Sequence, residues 1–307
     1  MKYKITRAVS GRQPSIELTH EEYSHILQAK RNLWIFLGIE EKLDLLLQNY
    51  AEYERTLLDL ALHQMICRDL DWSSFRADIQ LVNRRLTNLL SAARLYVDQI
   101  KHDLGAIYGQ DSAMVSRIKE ELSKQYDASL GYRAMETIRN HIQHRSLVVH
   151  RMSYPSKLEN PKVPGGRVRF GIVPSLDTTE LEEDSDLKGT VLNDLKDRGR
   201  YVPLTPLVRE YIEGLAHVHE VLREMTSADT SEWEAALESV EKRAGAVFAE
   251  HLDGLSIVTE DEVGRHPEIE AIFNDIGRRR QSLVRRNCHL QRLSNRYVSG
   301  EADERDA

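Results

Sequence analysis

The sequence predicts a mainly all-α protein built on an antiparallel four-helix bundle, and three observations carry that reading. Two long apolar seams recur at alternating steps of three and four residues. Only a short break separates them. Glycine and proline are sparse, with 16 and 8 in 307 residues, and aromatic residues are 7% of the chain, a texture that leans towards helix.

The first seam is Ile39, Leu43, Leu46, Tyr50, Tyr53, Leu57 and Leu60. The second is Trp72, Phe75, Ile79, Val82, Leu86, Leu89, Ala93, Tyr96 and Ile100, and after a slip of one residue it continues through Leu104 and Ile107. Such spacing lines one face of a helix. At 1.5 Å per residue the second helix is about 55–60 Å long. Two long seams with so short a connection form a helical hairpin rather than a parallel coiled coil.

Around this hairpin the other elements follow in order. Residues 2–9 alternate weakly and read as an edge strand that Gly11 and Pro14 end. Thr19 caps a first helix running through the apolar patch at 33–37 to Gly38. Asp71 caps the second long helix, and Gly109 closes it. A shorter helix lies near 112–126, and Gly131 separates it from a fourth. Residues 1–152 are therefore expected to form the bundle.

Residues 153–202 then change texture. Pro155, Pro161, Pro164 and the Gly165–Gly166 pair disallow helix, and 167–173 alternates as one arm of a small β-hairpin or extended insertion. Six carboxylates at 177–186 read as a solvated loop, or else as a cover for the basic strand carrying Arg167 and Arg169. Residues 203–298 form a helical C-terminal extension. Its first helix follows Pro203 and Pro206 with a seam from Val208 to Met225. Ser231 and Glu234 have capping-box spacing for the next. A final helix from Pro267 carries Ile269, Ile272, Ile276, Leu283, Leu290 and Leu293, with seven arginines from Arg278 to Arg296. Residues 299–307 read as a disordered tail.

Composition narrows the function classes. Hydrophobic residues are 41% and charged residues 30% of the chain, as in ordinary soluble proteins. The net charge of −7 argues against a surface that attracts nucleic acid throughout, though not against a local basic site. Cys67 and Cys288 offer neither a disulfide framework nor a zinc pattern and read most simply as core thiols. No signal peptide or membrane span is expected, so the protein reads as cytoplasmic, with no membrane partner.

One stretch concentrates chemistry: RNHIQHRSLVVH at 139–150, with two arginines and three histidines in twelve residues. On a helix Asn140 and His144 share a face, as do His141 and Arg145, while Arg139 lies about 100° behind Asn140. Arg139, Asn140 and His144 can surround one phosphate, leaving Ile138, Ile142 and Val149 for the core. That set suits RNA cleavage without metal. A ribose 2′-hydroxyl attacks the adjacent phosphate while a histidine, whose ordinary pKa is about 6.5, moves protons. An arginine presents its donor fork to the charge that builds. Two other readings stay open: a solvated basic face, and metal ligation by His141 and His144, for which Glu136 and Glu159 are poorly placed.

An arginine, a polar residue and then, with four residues between it and the arginine, a histidine late in a four-helix unit resembles the ribonuclease motif of the HEPN superfamily. Arg139, Asn140 and His144 carry the resemblance. The pairs Arg139–Asn140 and Gln143–His144, with His150, are also similar to a longer signature in a bacterial subgroup. It covers residues 20–152. The resemblance implies a homodimeric helical bundle cleaving RNA without metal or other cofactor, often beside an antitoxin or defence-system partner protein. It implies catalytic roles for Arg139 and His144 and a supporting one for Asn140; His141, Arg145, His150 and Arg151 are expected to contact RNA around them. The alternative function is a non-catalytic helical module that binds RNA or protein, through the arginine-rich final helix.

Overall fold

The computed structural model describes residues 1–8, 14–67, 71–159, 166–182, 189–248, 252–273 and 275–298. It is mainly helical with small antiparallel sheets. The chain opens with β1 (Lys2–Arg7) and β2 (Ile16–Leu18), followed by α1 (His20–Ile66), α2 (Trp72–Tyr108), α3 (Ala113–Ala128) and α4 (Leu130–His144). Four short strands follow: β3 (Arg151–Ser153), β4 (Ser156–Leu158), β5 (Val168–Phe170) and β6 (Val173–Asp177). Next come α5 (Thr178–Leu181), α6 (Gly189–Asp197), β7 (Tyr201–Pro203), α7 (Leu204–Met225) and α8 (Ser227–Phe248). The described chain ends with β8 (Leu255–Glu260), β9 (Ile269–Ala271), α9 (Ile276–Arg286) and a 3-10 turn.

Several boundaries have the local causes the sequence announces. At the start of α1 the Glu22 N–H donates to Thr19 Oγ1 at 3.1 Å, and the Thr19 N–H donates to Glu22 Oε2 at 2.8 Å. This reciprocal cap satisfies donors that the first turn leaves unpaired. Asp71 Oδ1 accepts from the N–H groups of Ser73 and Ser74 at 2.7 and 3.0 Å. Gly109, at φ +93°, takes the left-handed backbone that stops α2;. Others are corrected. Gly38 does not end a helix, because α1 continues through it for 47 residues. Ser231 lies inside α8 and donates back to the Ser227 carbonyl at 2.8 Å, so it caps nothing. The sequence breaks at 68–70 and at Pro161, Pro164 and Gly165, and the tail from 299, lie outside the described residues.

The described chain divides into two compact units. One comprises Met1–Lys42, His102–Met114 and Leu222–Cys288. Its sheet has the order β2-β1-β8-β9, all antiparallel. β1 is therefore an interior strand and not an edge: it pairs with β8 from Lys2↔Glu260 to Arg7↔Leu255 and with β2 on its other side. Ile5 of β1 and Ile257 and Val258 of β8 are all buried. The expected final helix from Pro267 is also corrected, since Ile269 belongs to β9 and only Ile276–Arg286 is helical. In this unit Arg223 donates to both carboxylate oxygens of buried Glu40, at 3.0 and 2.6 Å. Cys288 is exposed, and so is Cys67 in the other unit; neither is a core thiol.

The second unit comprises Leu43–Lys101, Val115–Val221 and His289–Ala307. Leu43, Leu46 and Tyr53 of α1 are buried, as are Val82, Leu86, Leu89 and Tyr96 of α2. Glu52 of α1 pairs with Arg85 of α2 beside this core. The expected hairpin after the bundle is β4 paired with β5, from Ser156↔Phe170 to Leu158↔Val168. β6 lies between β3 and β7 in a three-stranded sheet. Asp177 is no part of a solvated loop. It ends β6, is buried, accepts from the Thr179 N–H to cap α5, and receives the Arg200 guanidinium through both oxygens. Arg200 holds its carboxyl well below the usual carboxylate range;. Arg169 pairs with Glu159 at 2.5 Å, so within the described residues its partner is the hairpin's own carboxylate.

Gly131 does not separate two helices; it lies in the first turn of α4, which Ser129 caps by accepting from the Tyr132 N–H. Its role is close approach to α7. The Gly131 N–H donates to Glu210 Oε2 at 2.8 Å. A Cβ there would stand 2.5 Å from Glu210 Cβ and 2.7 Å from the Leu207 carbonyl oxygen. Gly131→Ala is expected to cost about 1–3 kcal/mol, as overpacking does, measured by urea unfolding. An unchanged midpoint would contradict this packing.

Candidate functional site

The candidate residues lie on α4 and the segment after it, all within the second unit. Buried Tyr132, Met135 and Ile138 fix which face of α4 turns inward. Tyr132 packs edge-on against Tyr211 of α7, with ring centroids 4.9 Å apart. With that face committed, Asn140 and His144 are left exposed one turn apart. Both fall at the end of α4, whose last residue is His144.

Arg139 occupies the neighbouring row and is half-buried. Its Nη1 donates to Gln143 Oε1 at 2.8 Å. Its Nε is shielded from solvent without a hydrogen-bond partner among the described residues. Next to it the buried Tyr211 hydroxyl donates to Glu136 Oε1 at 2.6 Å. Burial first, and then the charge of Glu136, raise the Tyr211 phenol well above its usual range, while the Arg139 charge acts the other way;. Arg139 thus sits in a polar corner bordered by Glu136, Gln143 and Tyr211.

The other expected contacts separate from this row. α4 stops at His144, so Arg145 is its C-cap, at φ −133° and ψ −84°, and does not continue a helical face with His141. His141 is buried, and its Nε2 lies 3.0 Å from Ser146 Oγ. His150 is half-buried. Its Nδ1 accepts from the Asp177 N–H at 3.0 Å, which leaves the proton of the neutral ring on Nε2;. Burial is the main cause that pushes its pKa down, with nearby His141 adding to it and Glu180 and Asp177 opposing. Arg151 is exposed and lies over the Tyr201 ring, 4.4 Å from its centroid. Asn140, His144 and Arg139 are therefore adjacent on one helix end, whereas His141 and His150 belong to the packing behind it.

Residues that sequence reading did not single out hold this end in place. Asn83 of α2 is buried and clamps the backbone of Val149: its Nδ2 donates to the Val149 carbonyl at 3.3 Å, and its Oδ1 accepts from the Val149 N–H at 3.0 Å. An asparagine beside an apolar seam, next to Val82 and four residues after Ile79, is the one local signal that marks such a clamp, because a buried amide needs partners;. Glu136 and Tyr211 carry no such signal, being 75 residues apart. Among the described residues no three His, Cys, Asp or Glu side chains are grouped so as to hold a metal ion. Nor is any described helix long and apolar enough to cross a membrane. Compared with known protein families, curated proteins and solved structures, the chain matches none of them.

Proposed function

We propose that the protein is a metal-independent endoribonuclease of HEPN type, acting as a cytoplasmic homodimer on RNA, in a toxin–antitoxin or phage-defence setting. The observation that supports it most is the end of α4: exposed Asn140 and His144 one turn apart, with Arg139 in the next row. An exposed histidine meets solvent and substrate, so it can take or give a proton at a bound phosphodiester. A half-buried arginine held by Gln143 is partly pre-organised, which lowers the cost of fixing it against a phosphate.

In the proposed reaction the ribose 2′-hydroxyl loses its proton and its oxygen bonds to the adjacent phosphorus. The bond from phosphorus to the 5′-oxygen breaks, and that oxygen takes a proton. His144 carries one of these transfers, Arg139 meets the charge on the non-bridging oxygens, and Asn140 orients the hydroxyl or the imidazole. The test is incubation of labelled RNAs with the purified full chain in a chelator. Cleavage is expected to persist; cleavage that stops with the chelator and returns with a divalent ion would contradict the reading.

The rival, a binding module that grips RNA through α9, draws less support. Arg278, Arg279 and Arg280 each face a glutamate, respectively Glu241, Glu41 and Glu234. Arg280 and Glu234 are both largely buried in doing so. A guanidinium matched by a buried carboxylate, as Arg280 is, releases few counterions from a nucleic acid, whereas Arg278 and Arg279 stay largely exposed beside theirs;.

A further inference from the structure

Within the first unit, α8, α9 and Leu33 of α1 bound a cavity of about 220 Å³. Buried Leu33 and Leu237 form its floor. The exposed Phe273 ring stands at its mouth, with its centroid 6.3 Å from that of Trp34. Gly277 keeps the space open, since a Cβ there would already stand 3.4 Å from Glu234 Cγ. At ~30 Å³ for each water, the cavity holds about seven. That admits a short aliphatic chain and is too small for a nucleotide.

The walls carry more negative charge than the protein itself offsets. Glu234, Glu238 and Glu241 recur at steps of four and three, so they share one face of α8;. Glu234 is committed: Arg280 Nε and Gln281 Nε2 donate to it at 2.9 and 2.8 Å. Arg278 Nη2 lies 3.8 Å from Glu241 Oε1, and its side chain is 70% exposed. Burial raises the Glu241 carboxyl above its ordinary range; Arg278 opposes this and Glu238 adds to it;. Glu238 is exposed and makes no hydrogen bond or ion pair among the described residues. Even counting Arg280, three carboxylates face two guanidinium groups.

We propose that this cavity binds a linear aliphatic diamine, or the end of a polyamine, with its two ammonium groups on Glu238 and Glu241 and its methylene chain against Leu33, Leu237 and Phe273. Spacing identifies the ligand. Residues one turn apart on a helix have Cβ atoms about 5–6 Å apart, close to the reach of a four-carbon diamine from nitrogen to nitrogen. Among the described residues no three His, Cys, Asp or Glu side chains are grouped for one metal ion. A point charge therefore cannot engage the row together, whereas a chain charged at both ends can. The apolar floor favours methylenes over the water shell of a small ion. The inference makes no use of the ribonuclease reading.

The experiment is calorimetric titration of the full chain, freed of nucleic acid, with 1,4-diaminobutane, butylamine and magnesium in turn. The diamine is expected to bind once per chain, and butylamine about tenfold more weakly, the worth of one charge-assisted hydrogen bond. Magnesium should not displace the diamine. Glu238→Gln keeps the shape and removes one charge, and should weaken the diamine by a similar factor. Gly277→Leu keeps every carboxylate and fills the space, and should weaken it as well. Melting temperatures show whether each variant folds; Glu238 is exposed, so its variant decides the matter if the Gly277 variant does not fold. No saturable binding up to about 10 mM diamine, or binding that the Glu238 change leaves intact, would overturn the proposal. A folded Gly277 variant that binds as the parent does would overturn it too. Butylamine binding as tightly as the diamine would assign the cavity to a single ammonium, such as a lysine side chain, and displacement by magnesium would assign it to charge alone; either result contradicts the proposal.

Discussion

Arg139→Ala and His144→Ala should each lower RNA cleavage by about 10²–10⁴-fold, the range seen when a charge-stabilising donor or a proton-transfer group is removed. The two losses arise differently. Without His144 the reaction lacks its proton carrier at the exposed end of α4; without Arg139 the phosphate oxygens lose their fixed cation. Asn140→Ala should cost less, about tenfold, since both of those roles remain filled. Asn140 and His144 are exposed, so their replacement should leave the fold unchanged. Arg139 is half-buried and bonded to Gln143, and circular dichroism on its variant separates lost chemistry from lost structure. Full activity in the His144 variant would end the mechanism.

Leu86→Asp should destabilise the protein by roughly 3–5 kcal/mol. Leu86 is fully buried in the seam of α2, beside Val82 and Leu89, which are buried to the same degree. The change removes a packed isobutyl group and puts a carboxylate where there is no water to solvate it. Since single domains are commonly stable by only about 5–15 kcal/mol, much of the population would unfold on modest heating. Chemical denaturation of parent and variant measures the loss; equal midpoints would mean that the seam is not the core.

What the sequence made legible follows the range over which each interaction acts. The caps at Thr19 and Asp71 and the stop at Gly109 are decided within a few residues, and they are where the pattern puts them. The seams of α1 and α2 were legible because a 3.6-residue period repeats in them many times. Gly38 misled, since a glycine costs a helix only about 1 kcal/mol, which 47 residues of α1 absorb. β1 looked like an edge because its second neighbour, β8, lies some 250 residues away, beyond any local signal. Ile269 and Ile272 continue the helical spacing of Ile276 towards the N-terminus, yet pairing of β9 with β8 overrides it before α9 begins at Ile276.

The site divides in the same way. The shared face of Asn140 and His144 follows from helix geometry, and Ser129 sets where that helix begins. It ends at His144, and beyond that end Asn83 of α2 holds the Val149 backbone, so neither Arg145 nor His150 continues the helix. The corner around Arg139 depends on Tyr211 of α7. Neither partner is near in sequence, so the cluster was visible as a set of residue types, while its division into an exposed row and a packed rear was not.

The most direct test of the account compares two labelled oligonucleotides that share one sequence and differ by a single 2′-deoxy sugar at the cut, each incubated with the full chain in a chelator. If His144 and Arg139 promote attack by the neighbouring 2′-hydroxyl, the all-ribose strand is cut to a 2′,3′-cyclic phosphate and a 5′-hydroxyl. The substituted strand stays whole at that position, because the nucleophile is gone. Equal cutting of both strands, or products ending in a 5′-phosphate, would show that water and not the ribose attacks, and would contradict the mechanism.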